Sequence, residues 1–164
     1  MLMKPKRVYL LCGAPGSGKS SWAKAQIEQN GGIWLSRDNV RFSLLTEEDE
    51  YFAKETEVFN TWINQINEAI HNEEGVTDIY VDATHLNEKS RNKTLSRLDR
   101  KEVHIIPVYF DTPFLMCLKQ NNYRSGRERV PEEVIGNMYK SIKRPTYKEK
   151  YKYEDILVIK RGVG

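Results

Sequence analysis

The sequence has few cysteines and histidines, the residues that form disulfides and bind zinc. Its 164 residues include two cysteines, Cys12 and Cys117, each within an apolar segment, and three histidines that lie far apart. Two such cysteines build no disulfide framework, so we expect both to be buried, reduced side chains in a cytoplasmic protein. The histidines have no cysteine partners at the spacing of zinc ligands, which argues against a zinc site.

Long hydrophobic runs are also missing. The apolar runs stay far below the ~18 residues that a membrane span needs, and the mean hydropathy is −0.66. Residues 1–7 are basic, but only five apolar residues follow before a glycine-rich stretch, which indicates a first strand rather than a signal peptide. Length and composition predict a single soluble domain over residues 1–164, without a second catalytic domain.

The net charge of +3 is small but unevenly distributed. Residues 45–75 are rich in Asp and Glu, a pattern typical of a solvated helix face. Residues 119–150 are rich in Lys and Arg, which suits a polyanionic ligand. The aromatic and basic residues at 147–153 could stack nucleic-acid bases, but they are more typical of a polar connector before a last strand.

Strand and helix patterns alternate along the chain. Short apolar runs predict strands near residues 8–12, 33–35, 78–82, 103–110 and 156–159. Helical patterns fill the intervals, at about 21–28, 51–71, 88–100, 113–122 and from 131 onward. This alternation predicts an α/β fold, a mainly parallel sheet with helices on both faces. Pro107 falls inside one predicted strand and indicates an irregular or edge position there.

The strongest motif lies between the first predicted strand and helix, where Gly13 to Ser20 reads GAPGSGKS and matches G-x-x-x-x-G-K-[ST]. Glycines let backbone N–H groups turn inward, and the helix that follows directs its positive end at the same phosphates. Lys19 is predicted to bind phosphate oxygens of ATP, and the Ser20 hydroxyl to ligate Mg²⁺. The predicted nucleotide-binding residues are Gly13, Ala14, Pro15, Gly16, Ser17, Gly18, Lys19, Ser20 and Ser21.

Further candidates follow the other strands, because ligands of parallel α/β sheets bind beyond the carboxyl ends of the strands. Asp38 and Arg41 come after the second predicted strand and share one face if a helical turn begins there. Phosphoryl transfer to a hydroxyl needs a carboxylate to accept its proton and a cation to hold the acceptor. The alternative is that Asp38 only caps a short helix and Arg41 is an exposed cation.

The third predicted strand ends in a carboxylate, Asp82, as a Walker B element does. It is predicted either to ligate Mg²⁺ directly or to orient a neighbouring cation from outside the metal's ligands. Thr84 and Asn87 are predicted to contact substrate or, alternatively, to cap the next helix. His85 is expected to be structural, because no second histidine or cysteine accompanies it.

Arginines concentrate in the loop before the last predicted helix, where Arg124, Arg127 and Arg129 surround Gly126. Planar guanidinium groups bind phosphate oxygens in pairs, and a mobile loop can bring one onto the transferred group when substrates are bound. We therefore predict a lid at about residues 120–143 that supplies a catalytic arginine. The alternative is a solvated basic turn.

In this order, the motifs resemble the 5'-kinase domain of phage polynucleotide kinases, P-loop kinases of the AAA-like ATP-binding family. The resemblance covers about residues 8–143. It is carried by GAPGSGKSSWA (13–23), SRDNVR (36–41), VDATHLN (81–87), YFDTP (109–113) and VPEEVIGNMYKS (130–141). It implies a P-loop kinase fold and ATP- and Mg²⁺-dependent transfer of the γ-phosphate to a 5'-hydroxyl end of DNA or RNA, in a phage or bacterial host cytoplasm.

The resemblance also implies residue roles. The lid is one residue longer than the family's spacing, so the choice among its arginines stays open. The phosphatase motif D-x-D-G-T of bifunctional members is absent, so a kinase alone is expected. The implied roles are phosphate and Mg²⁺ binding for Lys19 and Ser20, general base for Asp38, grip on the substrate's neighbouring phosphate for Arg41, support from outside the metal's ligands for Asp82, and lid arginine for Arg124.

Two other functions stay open at the level of sequence. One is a P-loop kinase whose acceptor is a small-molecule or protein-bound hydroxyl. The other is a nucleotide-dependent switch in which Asp38 performs no chemistry.

Overall fold

A five-stranded parallel sheet organises the protein, which we describe from a computed structural model over residues 5–72 and 75–161. The strands lie in the order β2-β3-β1-β4-β5 and all neighbouring pairs are parallel. They span Lys6–Cys12 (β1), Ile33–Ser36 (β2), Asp78–Asp82 (β3), Val103–Asp111 (β4) and Leu157–Lys160 (β5). The predicted α/β fold is confirmed.

Helices connect these strands and end close to the predicted positions. They span Lys19–Asn30 (α1), Arg37–Leu44 (α2), Glu55–His71 (α3), Glu88–Leu95 (α4), Phe114–Asn122 (α5) and Glu132–Lys140 (α6), with a 3₁₀ turn at Gly126–Glu128. Two predicted helices were too long. Residues 51–54 form a turn before α3, and α4 ends at Leu95. Just beyond α4, the Asn67 side chain binds the backbone of Arg97 and Asp99.

The sheet is covered on both faces, because successive strand residues point to opposite sides. Leu10 belongs to a large cluster formed mainly with α3 and α4, whereas Leu11 packs in a smaller cluster with Ala23 of α1. Trp62, completely buried, lies in the larger cluster. These two layers fix the carboxyl ends of β1, β2 and β3 next to one another.

Three smaller predictions have clear outcomes. Pro107 lies in a strand paired on both sides, so the edge position was wrong, but pairing with β5 starts only at Val108 and spares its missing N–H. Cys12 and Cys117 are free and buried, as predicted, and burial raises the pKa of Cys12 to about 12. Within the described residues, helices are too short or too polar to cross a membrane.

Candidate active site

The loop between β1 and α1 is built tightly around backbone. Gly16 has φ of 80° and Gly18 has φ of 101°, values that side chains rarely adopt. A Cβ atom on Gly16 would lie 2.4 Å from the carbonyl oxygen of Cys117 in α5. The loop therefore needs glycine for two reasons: the positive φ angles, and the close packing of the loop against α5.

Lys19 lies at the centre of this loop. Its ammonium is buried and donates hydrogen bonds to the carbonyl oxygens of Gly13 at 2.9 Å and Ala14 at 3.0 Å. Burial lowers the pKa of Lys19, and the charge of Arg124 adds to that effect, while the charges of Asp82 and Asp38 oppose it. The pKa of Lys19 is thus influenced by Asp82 at the end of β3, by Asp38 of α2 and by Arg124 of the lid.

Asp82 connects the end of β3 to the start of α1. Its Oδ2 atom accepts hydrogen bonds from the Ser20 hydroxyl and from the Trp34 indole nitrogen, both at 2.9 Å. Hydroxyl and carboxylate oxygens are hard ligands of the kind that Mg²⁺ prefers. In the described residues no three acidic, histidine or cysteine side chains cluster to hold a metal by themselves. Ser20 and Asp82 thus fit a Mg²⁺ ion held largely by substrate phosphates.

Asp38 and Arg41 share one face of α2, as predicted, and they also form an ion pair. The capping alternative for Asp38 is wrong, since the cap of α2 is Ser36, whose hydroxyl accepts from the Asn39 backbone N–H at 3.2 Å. The exposed-cation alternative for Arg41 is also wrong. Its side chain is 6% exposed and that of Asp38 is 54% exposed, so a buried cation supports an accessible carboxylate.

A second carboxylate, Glu55 at the start of α3, binds Arg41 on the side away from Asp38. Glu55 accepts from Arg41 Nε at 2.7 Å and from Arg37 Nη2 at 3.0 Å. The Tyr51 hydroxyl lies on the other side, 3.0 Å from Arg41 Nη1 and 2.9 Å from Asp38 Oδ1. The acidic segment was interpreted as a solvated helix face, and for Glu55 that interpretation was wrong.

The lid arginines differ in what they contact. Arg127 Nη2 donates to the carbonyl oxygens of Thr46 and Glu47, both at 2.7 Å, and so joins the lid to the loop after α2. Arg129 binds Asn122 within the lid itself, at 3.1 Å. Neither interaction is directed at the phosphate loop.

Arg124 is the lid arginine whose charge acts on Lys19. This relation to the loop favours it over the other two as the arginine that reaches the transferred phosphate. Its catalytic role stays a prediction.

The residues after β3 support the fold around the loop. The Thr84 carbonyl accepts from Gly13 N at 2.8 Å, and Asn87 caps α4 by accepting from the Ser90 backbone N–H. The capping alternative therefore holds for Asn87, and substrate contact by Thr84 and Asn87 stays a prediction. His85 is buried between Leu11 O and the Thr94 hydroxyl, at 2.8 and 2.9 Å, which agrees with a structural residue.

Arg161 was not identified from the sequence. It directly follows β5, and its guanidinium lies against the phosphate loop, so that a Cβ atom on Gly18 would sit 2.0 Å from Arg161 Nη1. The rule that sites form beyond strand ends would have found it, had the last strand been included. Tyr51 and Glu55 were also missed, and no local pattern distinguishes them from their acidic and aromatic neighbours.

The fold agrees with that of known proteins. Residues 8–145 match the AAA domain family AAA_33. The chain belongs to this family. Its parallel sheet and its helices have the arrangement of a P-loop kinase-like fold.

Among curated proteins, it is 30% identical over 158 residues to an L-seryl-tRNA(Sec) kinase of Methanococcus maripaludis. That match covers 92% of this chain and 58% of the relative, so the chain spans less than two thirds of the relative's length.

Two solved structures share the fold. A chain of the Pnkp1/Rnl/Hen1 RNA repair complex matches with a TM-score of 0.70 and 20% identity, over 86% of this chain and 45% of that one. A sugar kinase from Janibacter sp. HTCC2649 matches with a TM-score of 0.63 and 17% identity, over 95% of this chain and 86% of that one. At these identities the likeness concerns the fold alone.

Proposed function

We propose that this protein transfers the γ-phosphate of ATP to the 5'-hydroxyl end of DNA or RNA. The observation that carries the proposal is the pairing of an exposed carboxylate, Asp38, with a buried guanidinium, Arg41. Asp38 is also close enough for its charge to act on Lys19. A donor site at the phosphate loop after β1 and a base just after β2, at the same edge of the sheet, make a two-substrate site.

The chemistry follows from this arrangement. Asp38 accepts the proton of the acceptor hydroxyl as the oxygen forms a bond to the γ-phosphorus. The bond between the γ-phosphorus and the bridging oxygen breaks, and ADP leaves with that electron pair. Lys19 neutralises the phosphate oxygens, and Arg124 is proposed to stabilise the charge that develops on the transferred group. Mg²⁺, with Ser20 as ligand and Asp82 behind it, would supply additional charge neutralisation.

Arg41 has a donor left for a nucleic-acid acceptor. Its Nε and Nη1 atoms are engaged by Glu55, Asp38 and Tyr51. Its Nη2 atom makes no hydrogen bond with any other residue in the described part of the chain. A phosphate next to the acceptor nucleoside would accept a hydrogen bond from Nη2. This supports a polynucleotide end over a small neutral acceptor.

A second candidate acceptor is the seryl hydroxyl of an aminoacylated tRNA. The observation that favours it is the 30% identity to an L-seryl-tRNA(Sec) kinase across most of this chain. The chemistry at Asp38 would be the same, because a primary hydroxyl is again the nucleophile.

The test is transfer of label from γ-labelled ATP with Mg²⁺ to a panel of acceptors. The panel contains 5'-hydroxyl RNA and DNA oligonucleotides, the same oligonucleotides with 5'-phosphate as matched controls, seryl-tRNA, and a sugar acid. We expect label on the 5'-hydroxyl oligonucleotides alone, with a KM for the acceptor that rises with salt. Label on seryl-tRNA without label on oligonucleotides would replace the proposal by the second candidate. Absence of transfer by protein that binds ATP would favour a nucleotide switch.

A further inference from the structure

Tyr51 occupies an unusual place for a residue outside the helices and strands. It lies in the turn before α3, and its hydroxyl donates to Asp38 Oδ1 at 2.9 Å while accepting from Arg41 Nη1 at 3.0 Å. The Arg41 guanidinium also lies over the Tyr51 ring, 4.5 Å from its centroid. One side chain thus contacts both members of the Asp38–Arg41 pair.

The two oxygens of Asp38 are used differently. Both Tyr51 and Arg41 donate to Oδ1. Oδ2 makes no hydrogen bond to any residue within 5–72 and 75–161. The carboxylate is therefore anchored through one oxygen and presents the other, which is the arrangement that a base needs to accept a proton along a defined direction.

We propose that Tyr51 is a positioning residue for phosphoryl transfer, which fixes the Asp38 carboxylate through Oδ1 so that Oδ2 faces the acceptor hydroxyl. The inference rests on the proposed role of Asp38 as base and holds for any hydroxyl acceptor.

A tyrosine suits this task for two reasons. Its ring is held edge-on between Phe42 and Phe52, with centroids 6.0 and 4.6 Å away, so the hydroxyl has little freedom to move. Burial and the charge of Asp38 raise the pKa of Tyr51, so the hydroxyl stays a donor across the physiological range. Without it, the exposed Asp38 side chain would be held by Arg41 alone and would keep more rotational freedom.

Other charges also act on Asp38 and must be held constant in a test. Lys19, Arg37 and Arg41 each interact electrostatically with it, and Glu55 reaches it through Arg41. Tyr51→Phe removes one hydroxyl and leaves all of these groups in place. Tyr147→Phe is the matched control, because it removes a tyrosine hydroxyl that donates to a different carboxylate, Asp155, and keeps every contact of Asp38.

The measurement is kcat and the KM values for both substrates in the label-transfer assay. For Tyr51→Phe we expect kcat to fall roughly 10-fold or more, as for loss of a hydrogen bond to a charged group, with the KM values for ATP and acceptor nearly unchanged. Tyr147→Phe should keep the wild-type kcat.

A wild-type kcat in Tyr51→Phe would overturn the inference, and so would a change in the acceptor KM alone. Asp38→Asn separates this failure from failure of the proposed function, since the base mechanism requires a loss in kcat on the order of 10² or more. If Asp38→Asn keeps full activity, the base assignment itself fails. ATP binding and thermal unfolding of Tyr51→Phe should match the wild type, which rules out a folding defect as the cause.

Discussion

Glu55 illustrates how a single residue sets the geometry of the Asp38–Arg41 pair. It receives hydrogen bonds from two arginines of α2, and Arg37 lies in turn over the rings of Phe59 and Trp62, at 5.3 and 5.9 Å from their centroids. Burial alone would raise the pKa of Glu55, but the hydrogen bond from Arg41 and the two positive charges overcome it and keep that pKa lowered. The carboxylate is therefore ionised at neutral pH and holds Arg41 against the core.

Replacing Glu55 by Gln should lower kcat/KM for the acceptor by roughly 10-fold or more, because a buried guanidinium loses its ionised partner. Binding of ATP should change little, since Glu55 does not contact the phosphate loop. The matched control is Glu57→Gln in the same first turn of α3, where the side chain is exposed. Steady-state kinetics with both substrates and a binding titration with ATP make the comparison. An equal loss of activity in the two variants would contradict the assigned role of Glu55.

At the scale of elements, the lid combines two kinds of contact. Its Arg127 is bonded to backbone carbonyls of the loop after α2, whereas its Arg124 acts on the centre of the phosphate loop. The hydrogen bonds of Arg127 join the lid to the loop after α2, and we propose that the charge of Arg124 takes part in the chemistry. α5 contributes as well, because its Cys117 carbonyl packs directly on Gly16.

This division predicts different kinetic effects for the three arginines. Arg124→Ala should reduce kcat by about 10² or more, as for removal of a group that stabilises developing charge. Arg127→Ala should act mainly on the KM values, because it loosens the lid without removing the charge at the reaction. Arg129→Ala should stay close to wild type. Single-turnover and steady-state rates measured for all three variants test this order, and a kcat loss confined to Arg127→Ala would reverse the assignment.

The elements also show where local patterns mislead. Periodicity extended the third helix back to Tyr51, yet residues 51–54 form a turn. The Tyr51 hydroxyl bonds to Asp38, thirteen residues earlier in the chain, and that contact is compatible with the turn that the structure adopts. A tertiary hydrogen bond of this kind has no signature in the hydrophobic pattern from which a helix is predicted.

For the whole molecule, His85 couples stability to pH. Burial lowers its pKa to about 3, with further lowering by the charges of Arg37, Arg91 and Lys19. In the unfolded chain a histidine titrates near pH 6.5. Between pH 6.5 and 3 the unfolded state therefore binds a proton on His85 that the folded state does not bind. The contribution of neutral His85 to the free energy of unfolding is fully present above about pH 6.5 and falls as the pH drops from there toward 3.

His85→Asn should flatten this dependence, and asparagine tolerates the positive φ of 39° at this position. The wild type should lose up to about 1.4 kcal/mol per pH unit from this residue below pH 6.5, and the variant should lack that contribution. Denaturant unfolding at pH 7.5 and pH 5 measures both slopes, and their difference isolates His85 because the other titrating groups are common to both proteins. Equal slopes would contradict the role given to burial.

The sequence by itself determined those parts of the protein whose residues are close together along the chain. The phosphate loop is contiguous, from Gly13 to Ser20, and Asp38 and Arg41 are one helical turn apart. Both motifs can therefore be recognised from residues that are close together in the sequence. The alternation of strands and helices is equally local. It predicted the parallel sheet, whose strand ends then indicate where a ligand binds.

The tertiary structure decided which side chains from distant segments complete the site. Glu55 was hidden in an acidic stretch that resembles a solvated face, and Arg161 reaches the phosphate loop only because β5 pairs with β4. The proposal of Arg124 among three similar arginines likewise depends on its position relative to Lys19 in the fold. These assignments depend on charges and hydrogen bonds between residues far apart in sequence, and such contacts arise only when the folded layers bring them together.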